Sequence, residues 1–299
     1  MNPWEKVRNK SGWKHGGYLE WTESKKAFIS VVFTYLLPQA YERSIWYRTL
    51  GYQVFAGGPA VDLNPNYLNE VADCSLHIPT LHKHNPRACF TTRGCIRKCP
   101  FCAVPIIEGK FKELDDFQLK PIVCDNNFLA SSRKHFDQVI GGLKRFKNVD
   151  FNQGLDHRLL TQYRAERISE LNLRCVRLAW DYVQYEREFM RAFELLRKVG
   201  IPASKIRSFV LIGFQDTPQD ALYRLQKIRE LGAWPNPMRY QPLDIIKKNS
   251  HVGEHWTDSE LKRYMRYWSN LRYTNAIPFE DFDRKKYIKP ASKKQLDLI

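Results

Sequence analysis

"SFVLIGFQDTPQDALYRLQKIRELGAWPNPMRYQPLD", residues 208–244, contains one full repeat of the pattern that decides the fold. The apolar run 208–214 has the length and composition of a buried strand. Thr217 follows as an N-cap, with Pro218 at the first helical position. Leu222, Leu225 and Ile228 recur at three-residue spacing and share one helix face, and Gly232 closes the helix. A second strand is expected over 238–244. A strand, a helix and a strand in this order form the crossover that parallel pairing requires.

The same rhythm runs backwards from this unit. Strands are expected over 88–92, 121–127, 149–156 and 175–181. Between them, Phe136, Val139, Ile140 and Leu143 make one helical stripe, and Phe189, Phe193 and Leu196 another. Six β-α units in succession predict an α/β fold, a parallel sheet curling toward a partial (β/α)6 barrel. In such folds the active site gathers at the C-terminal ends of the strands. Those ends carry Asp125, Asn126 and Asn127, then Gln153 and Asp156, then Asp181, then Gln241 and Asp244. Singly, each is an ordinary cap or turn residue. Their recurrence at one end of successive strands argues for a shared site.

Three segments are expected. Residues 1–86 hold a polar stretch and a small β-α-β unit: a strand at 28–34, a helix begun by Pro38 and ended by Gly51, then a strand entering the turn at Gly57 and Gly58. Residues 87–245 hold the barrel. Residues 246–299 form a basic helical extension, with a capping box from Thr257 to Glu260 and an apolar stripe of Leu261, Met265 and Trp268. Lys262, Arg263 and Arg266 lie off that stripe. The run "RKKYIKPASKK", 284–294, contains no acidic residue.

The net charge is +16, from 48 Lys and Arg against 32 Asp and Glu, and it favours a polyanionic partner. A basic surface without such a partner, and a solvated tail at 284–294, account for the same numbers. The longest apolar run, "FISVVFTYLL" (28–37), is too short to span a bilayer. Seven cysteines without a secretory signal point to free thiols or metal ligands in a reducing, cytoplasmic setting.

The cysteines carry the chemistry. "TTRGCIRKCPFCAVPIIEG", 91–109, places Cys95, Cys99 and Cys102 on the loop after the first barrel strand. Three thiolates hold three irons of a [4Fe–4S] cluster and leave the fourth open. A structural zinc site needs a fourth protein ligand. The nearest candidate, Cys89, lies inside the expected strand.

With its Cys-x3-Cys-x-aromatic-Cys spacing, completed by Phe101, this loop resembles the signature of the radical S-adenosylmethionine (SAM) superfamily. The resemblance covers roughly 87–245 and implies a partial (β/α)6 barrel. It also implies a [4Fe–4S] cluster on Cys95, Cys99 and Cys102, SAM chelating the open iron, and a reducing partner such as flavodoxin or ferredoxin. Reductive cleavage of SAM would leave methionine and a 5′-deoxyadenosyl radical that abstracts hydrogen from a substrate. Phe101 would lie near the adenine. The segment "CDNN", 124–127, stands where many members carry a Gly-Gly-Glu-like run, making Asp125, Asn126 and Asn127 candidates for the SAM amino group. Gln153 and Arg177 are candidates for its carboxylate or ribose, with a buried ion pair as the plain alternative for Arg177. Ile212 and Gly213 are candidates for backbone contact with adenine.

Residues 28–61 resemble part of the cobalamin-binding-like domain found in one branch of the superfamily. No Asp-x-His-x-x-Gly run is present, and His77, His82 and His84 lie in an irregular connector, so bound cobalamin is not expected. A nucleic acid or nucleotide is the leading substrate expectation. A peptide- or metabolite-modifying enzyme is an alternative, and a non-catalytic metal-bearing nucleic-acid-binding module is the reading from another class.

Overall fold

The structure, a computed structural model, describes residue 13, residues 15–76 and residues 79–283. The basic run 284–294 and His77 fall outside the described residues.

The chain opens with a hairpin, β1 (Tyr18–Glu23) and β2 (Lys26–Val31), turning at Ser24 with φ 54°. The sequence pattern showed only the second strand. What secures the first is a cross-strand aromatic pair: Trp21 lies opposite Phe28, their rings stacked 5.1 Å apart. Helix α1 (Leu37–Thr49) has Pro38 in its first turn and buries Leu37, Ala40, Ser44 and Tyr47. Strand β3 (Gln53–Gly57) then pairs parallel with β2, so the expected β-α-β unit is present. At Gly58, φ is 104° and a Cβ would stand 2.7 Å from the Val31 carbonyl oxygen, so this turn requires glycine. The unit has its own core, including Ile29, Val31, Leu37, Val54 and Leu68.

The main body begins with β4 (Ala88–Cys89). Instead of continuing to residue 92 as expected, the chain leaves the sheet. Thr91 is pinned by Asp125, and β5 (Thr92–Arg93) pairs antiparallel with β6 (Lys112–Glu113). This two-stranded ribbon brackets the cysteine loop. The large sheet resumes with β7 (Ile122–Val123), β8 (Val149–Phe151), β9 (Leu173–Ala179), β10 (Ile206–Ile212) and β11 (Trp234–Arg239). Its six strands are parallel and stand in chain order, β4-β7-β8-β9-β10-β11, with β4 and β11 at the edges.

Four helices fill the crossovers: α2 (Arg133–Leu143), α3 (Gln162–Ser169), α4 (Glu186–Lys198) and α5 (Pro218–Glu230). The stripes Phe136, Val139, Ile140, Leu143 and Phe189, Phe193, Leu196 are buried as expected. Helix α5 differs. Ala221, Arg224, Leu225 and Ile228 are its buried residues, and Leu222 is only partly covered.

Strand β11 lies four residues ahead of its expected start and contains Pro235 and Pro237. As an edge strand it pairs with β10 alone, so alternate residues need no N–H for the ladder.

Helix α6 (Asp258–Trp268) begins with the Thr257–Glu260 capping box. It buries Leu261, Tyr264, Tyr267 and Trp268 in the same core as the sheet, with Phe279 and Phe282. Among the described residues, no helix is long and apolar enough to cross a membrane.

Candidate functional site

The C-terminal ends of β4, β7, β8 and β9 converge on the cysteine loop. Gly94 opens the loop with φ 73°, and a Cβ there would stand 2.3 Å from the Lys110 carbonyl oxygen. The two ends of the loop therefore touch only because residue 94 is glycine. Gly94 N–H also donates to Glu108 Oε2 at 2.7 Å, and Arg93 pairs with the other oxygen of Glu108 at 3.0 Å.

Cys95, Cys99 and Cys102 are free and half-buried. The backbone N–H of Arg97 donates to Cys95 Sγ at 3.3 Å, and Asn127 Nδ2 donates to the same sulfur at 3.3 Å. Cys102 N–H donates to the Cys99 carbonyl at 3.0 Å, which closes the loop's last turn. Burial pushes the Cys99 and Cys102 thiols up. The Arg158 guanidinium works in the opposite direction on Cys99, and the Val104 N–H does so on Cys102.

Asp156 is the hub beneath the loop. Its carboxylate accepts from Arg97 Nε at 2.9 Å, Arg158 Nε at 2.7 Å and Asn127 Nδ2 at 3.4 Å. Burial works to raise its pKa, but Arg158 and Arg97 prevail and hold it below the ordinary carboxylate range. Beside it, burial pushes Asp181 up to about 6, against the pull of Arg224 and Arg158.

Phe101 anchors the far end of the loop. Its ring packs edge-on to Phe214 (5.6 Å), past the end of β10, and against Tyr182 (6.1 Å), past the end of β9. Phe214 continues to Tyr240 (4.6 Å), and Tyr240 to His251 (5.0 Å). An aromatic arc therefore runs from the cysteine loop along the strand ends.

The candidate residues from sequence separate into two groups. Asn127 meets Cys95 directly, and Phe101 is part of the cysteine loop itself, its ring turned to Phe214 and Tyr182. Asp125 points back toward β4: Thr91 N–H donates to Oδ1 at 2.7 Å and Thr91 Oγ1 to Oδ2 at 2.5 Å, with the side chain 2% exposed. Asn126 is half-buried between them. Gln153 is exposed at the turn that Gly154 N–H closes onto the Phe151 carbonyl. Arg177 is the ion-paired alternative: it meets buried Asp150 on the neighbouring strand β8, and burial lowers its pKa to about 10. Ile212 is fully buried. Gly213 N–H is taken by Asp216 Oδ1 at 2.8 Å, and a Cβ on Gly213 would meet Leu261 at 2.9 Å.

The remaining cysteines sit elsewhere. Cys89 is buried in β4, its sulfur accepting from Lys120 N–H at 3.3 Å, and burial pushes it up to about 11. Cys124, just past the end of β7, and Cys175, in β9, are buried. His84 in the connector is bound to Ser30 Oγ at 2.9 Å, a tie between the N-terminal sheet and the connector.

Residue pattern alone missed Arg97, Arg158, Tyr182 and Phe214. Arg97 sits between two of the cysteines and Arg158 two residues after Asp156, so adjacency to the motif was the available signal. Among the described residues no three His, Cys, Asp or Glu side chains converge as ligands of one metal ion. A cluster asks for something different, one thiolate per iron on a loop whose sulfurs are offered N–H donors. The donors on Cys95 fit that requirement.

No family model matches the chain, and no curated protein matches it either.

Proposed function

We propose that the chain is a radical SAM enzyme that binds a [4Fe–4S] cluster through Cys95, Cys99 and Cys102. The observation that carries the reading is the placement of these three thiols. They share one glycine-hinged loop at the C-terminal ends of a six-stranded parallel sheet, over a hub of buried polar groups. Six parallel strands in strict chain order are compatible with a partial (β/α)6 barrel, a fold whose site lies at the strand ends.

Bound there, the cluster and SAM would supply reductive carbon–sulfur cleavage and a 5′-deoxyadenosyl radical. The chain's own residues hold and shield the reactants. Asn127 Oδ1 is buried with no protein donor, which leaves it as an acceptor for an amino group. Asp156 fixes Arg97 and so the middle of the loop. Phe101, Phe214 and Tyr182 form the apolar wall on which an adenine would rest. The Asp125 carboxyl and the Gly213 N–H are hydrogen-bonded within the protein and Arg177 is paired with Asp150, so these three serve the frame. The net charge supports a nucleic acid or nucleotide substrate.

The test is anaerobic reconstitution with iron, sulfide, SAM and a reductant. Iron and sulfide near about four per chain, with 5′-deoxyadenosine found by mass spectrometry, are expected. One zinc per chain and no SAM cleavage would replace the enzyme with a metal-bearing binding module.

A further inference from the structure

We propose that Asn127 is a positioning residue for Cys95: its side-chain amide holds the first cluster sulfur and ties it to the Asp156 hub. The assignment rests on reading the three cysteines as cluster ligands.

Three observations converge on it. Asn127 is 2% exposed, and its Nδ2 lies 3.3 Å from Cys95 Sγ and 3.4 Å from Asp156 Oδ2. Two N–H groups on one nitrogen serve both acceptors. The reverse orientation of the amide would set its oxygen against a carboxylate oxygen and a sulfur, so the donor side is fixed by its neighbours. Second, Asp156 also grips Arg97 Nε at 2.9 Å, while Arg97 N–H donates to the same sulfur at 3.3 Å. Cys95 is therefore held from two directions, both tied to one carboxylate. Third, the short chain segment between β7 and Asn127 sets the amide where it is. Asp125, two residues before, is locked to Thr91, and Asn127 itself accepts the Ala130 N–H at 3.0 Å through its carbonyl.

The chemistry follows from the donor. An N–H on a ligating sulfur draws off negative charge and stabilises the reduced cluster more than the oxidised one. Aspartate at position 127 would face Asp156 and an anionic sulfur, and leucine would offer nothing. Neither can do what the amide does.

The experiment compares wild type with Asn127→Leu, Asn127→Ser and Asn127→Asp. In metal-free protein, hydrogen–deuterium exchange of the 91–109 segment is expected to quicken several-fold in Asn127→Leu and Asn127→Asp, and less in Asn127→Ser, whose hydroxyl can still donate. In reconstituted protein, a dithionite-coupled redox titration is expected to give a lower midpoint potential for the Leu and Asp variants at unchanged iron content, with partial recovery in the Ser variant. Unchanged exchange and an unchanged midpoint in Asn127→Leu would overturn the proposal. If wild type takes up no iron, the cluster reading fails by itself. The exchange measurement then still decides whether Asn127 holds Cys95.

Discussion

Asp125 separates a frame residue from a SAM ligand, and the two assignments predict different losses. Its carboxyl, 2% exposed, accepts from Thr91 N–H at 2.7 Å and from Thr91 Oγ1 at 2.5 Å. These bonds turn the chain out of β4 and start the cysteine loop. Asp125→Ala removes both, and at about 1.5–3 kcal/mol per hydrogen bond to a charged group the loss is about 3–6 kcal/mol. With an unfolding entropy of about 2.1 cal/mol/K per residue, or about 0.6 kcal/mol/K for this chain, Tm should fall by about 5–10 °C. Asp125→Asn keeps one oxygen facing the Thr91 N–H and should lose about half as much. Burial raises the Asp125 pKa in spite of its donors. The folded state thus holds the proton more tightly than the unfolded chain does. The associated stability is full below the ordinary value of about 3.9 and is lost as pH rises through the raised folded-state value. The deficit of Asp125→Asn, which carries no such proton, should therefore be larger at a pH of about 4.5 than at about 7. The assay is thermal unfolding at both pH values, paired with SAM binding by calorimetry on the reconstituted protein. An Asp125→Ala variant that unfolds within about a degree of wild type, yet loses SAM binding, would refute the reasoning and return Asp125 to the site.

Cys95→Ala, Cys99→Ala and Cys102→Ala should each remove the cluster's visible absorbance and SAM cleavage, whereas Cys89→Ala and Cys175→Ala keep both. Loss of iron in Cys89→Ala alone would demand a four-ligand site. Arg224→Met should cost about 3–5 kcal/mol, read by chemical denaturation, because it strands the Asp216 carboxylate and two carbonyls. A loss under about 1 kcal/mol would mean that the Arg224 network is not holding the strand ends together. If the substrate is a nucleic acid bound through about five phosphates, log affinity should fall against log salt with a slope of about −4 to −5. Salt-independent binding would favour a small metabolite.

Much of the frame was legible because it rests on local rules. The N-caps Thr217 and Thr257, Pro38, Gly58 and the apolar stripes of α2 and α4 read correctly from composition and spacing. What failed depends on contacts distant in sequence. Helical periodicity could not place Arg224 in the core. Its burial depends on the Trp180 and Asp181 carbonyls and on Asp216, which come from the ends of two other strands. Strand β11 was misplaced because Pro235 and Pro237 argue against a strand unless it lies at an edge, and edge position is a property of the whole sheet. The cysteine motif was plain in the sequence. Asn127 and Asp156 could be read as polar strand-end residues, but their joining at Cys95 with Arg97 and Arg158 could not, since Asn127 follows β7 while Asp156 and Arg158 follow β8.

The positive charge shows the same division between composition and structure. On count alone, +16 suggests a surface prepared for phosphates. Many of the arginines are instead internal fasteners. Arg43 grips Glu20, Arg93 grips Glu108, Arg97 and Arg158 grip Asp156, and Arg224 grips Asp216. Arg263, expected on an open basic face of α6, donates to the Phe282 carbonyl at 3.1 Å and binds the Phe279 and Glu280 carbonyls, fastening the following segment. Lys262 of the same helix is paired with Asp258. A guanidinium presents several donors in a fixed fork, so it suits this fastening work where an ammonium would not. Several of these fasteners surround the cysteine loop, where carbonyls and carboxylates at strand ends need donors. The net charge therefore overstates the cations that α6 offers to a polyanion. Among the described residues, Lys247 and Lys248 are exposed, a few residues past the end of β11, and Lys248 lies 4.7 Å from the Tyr35 ring. That places basic and aromatic surface together where the N-terminal unit meets the rim of the sheet, joined by the Thr34 hydroxyl donating to the Ile245 carbonyl at 2.6 Å.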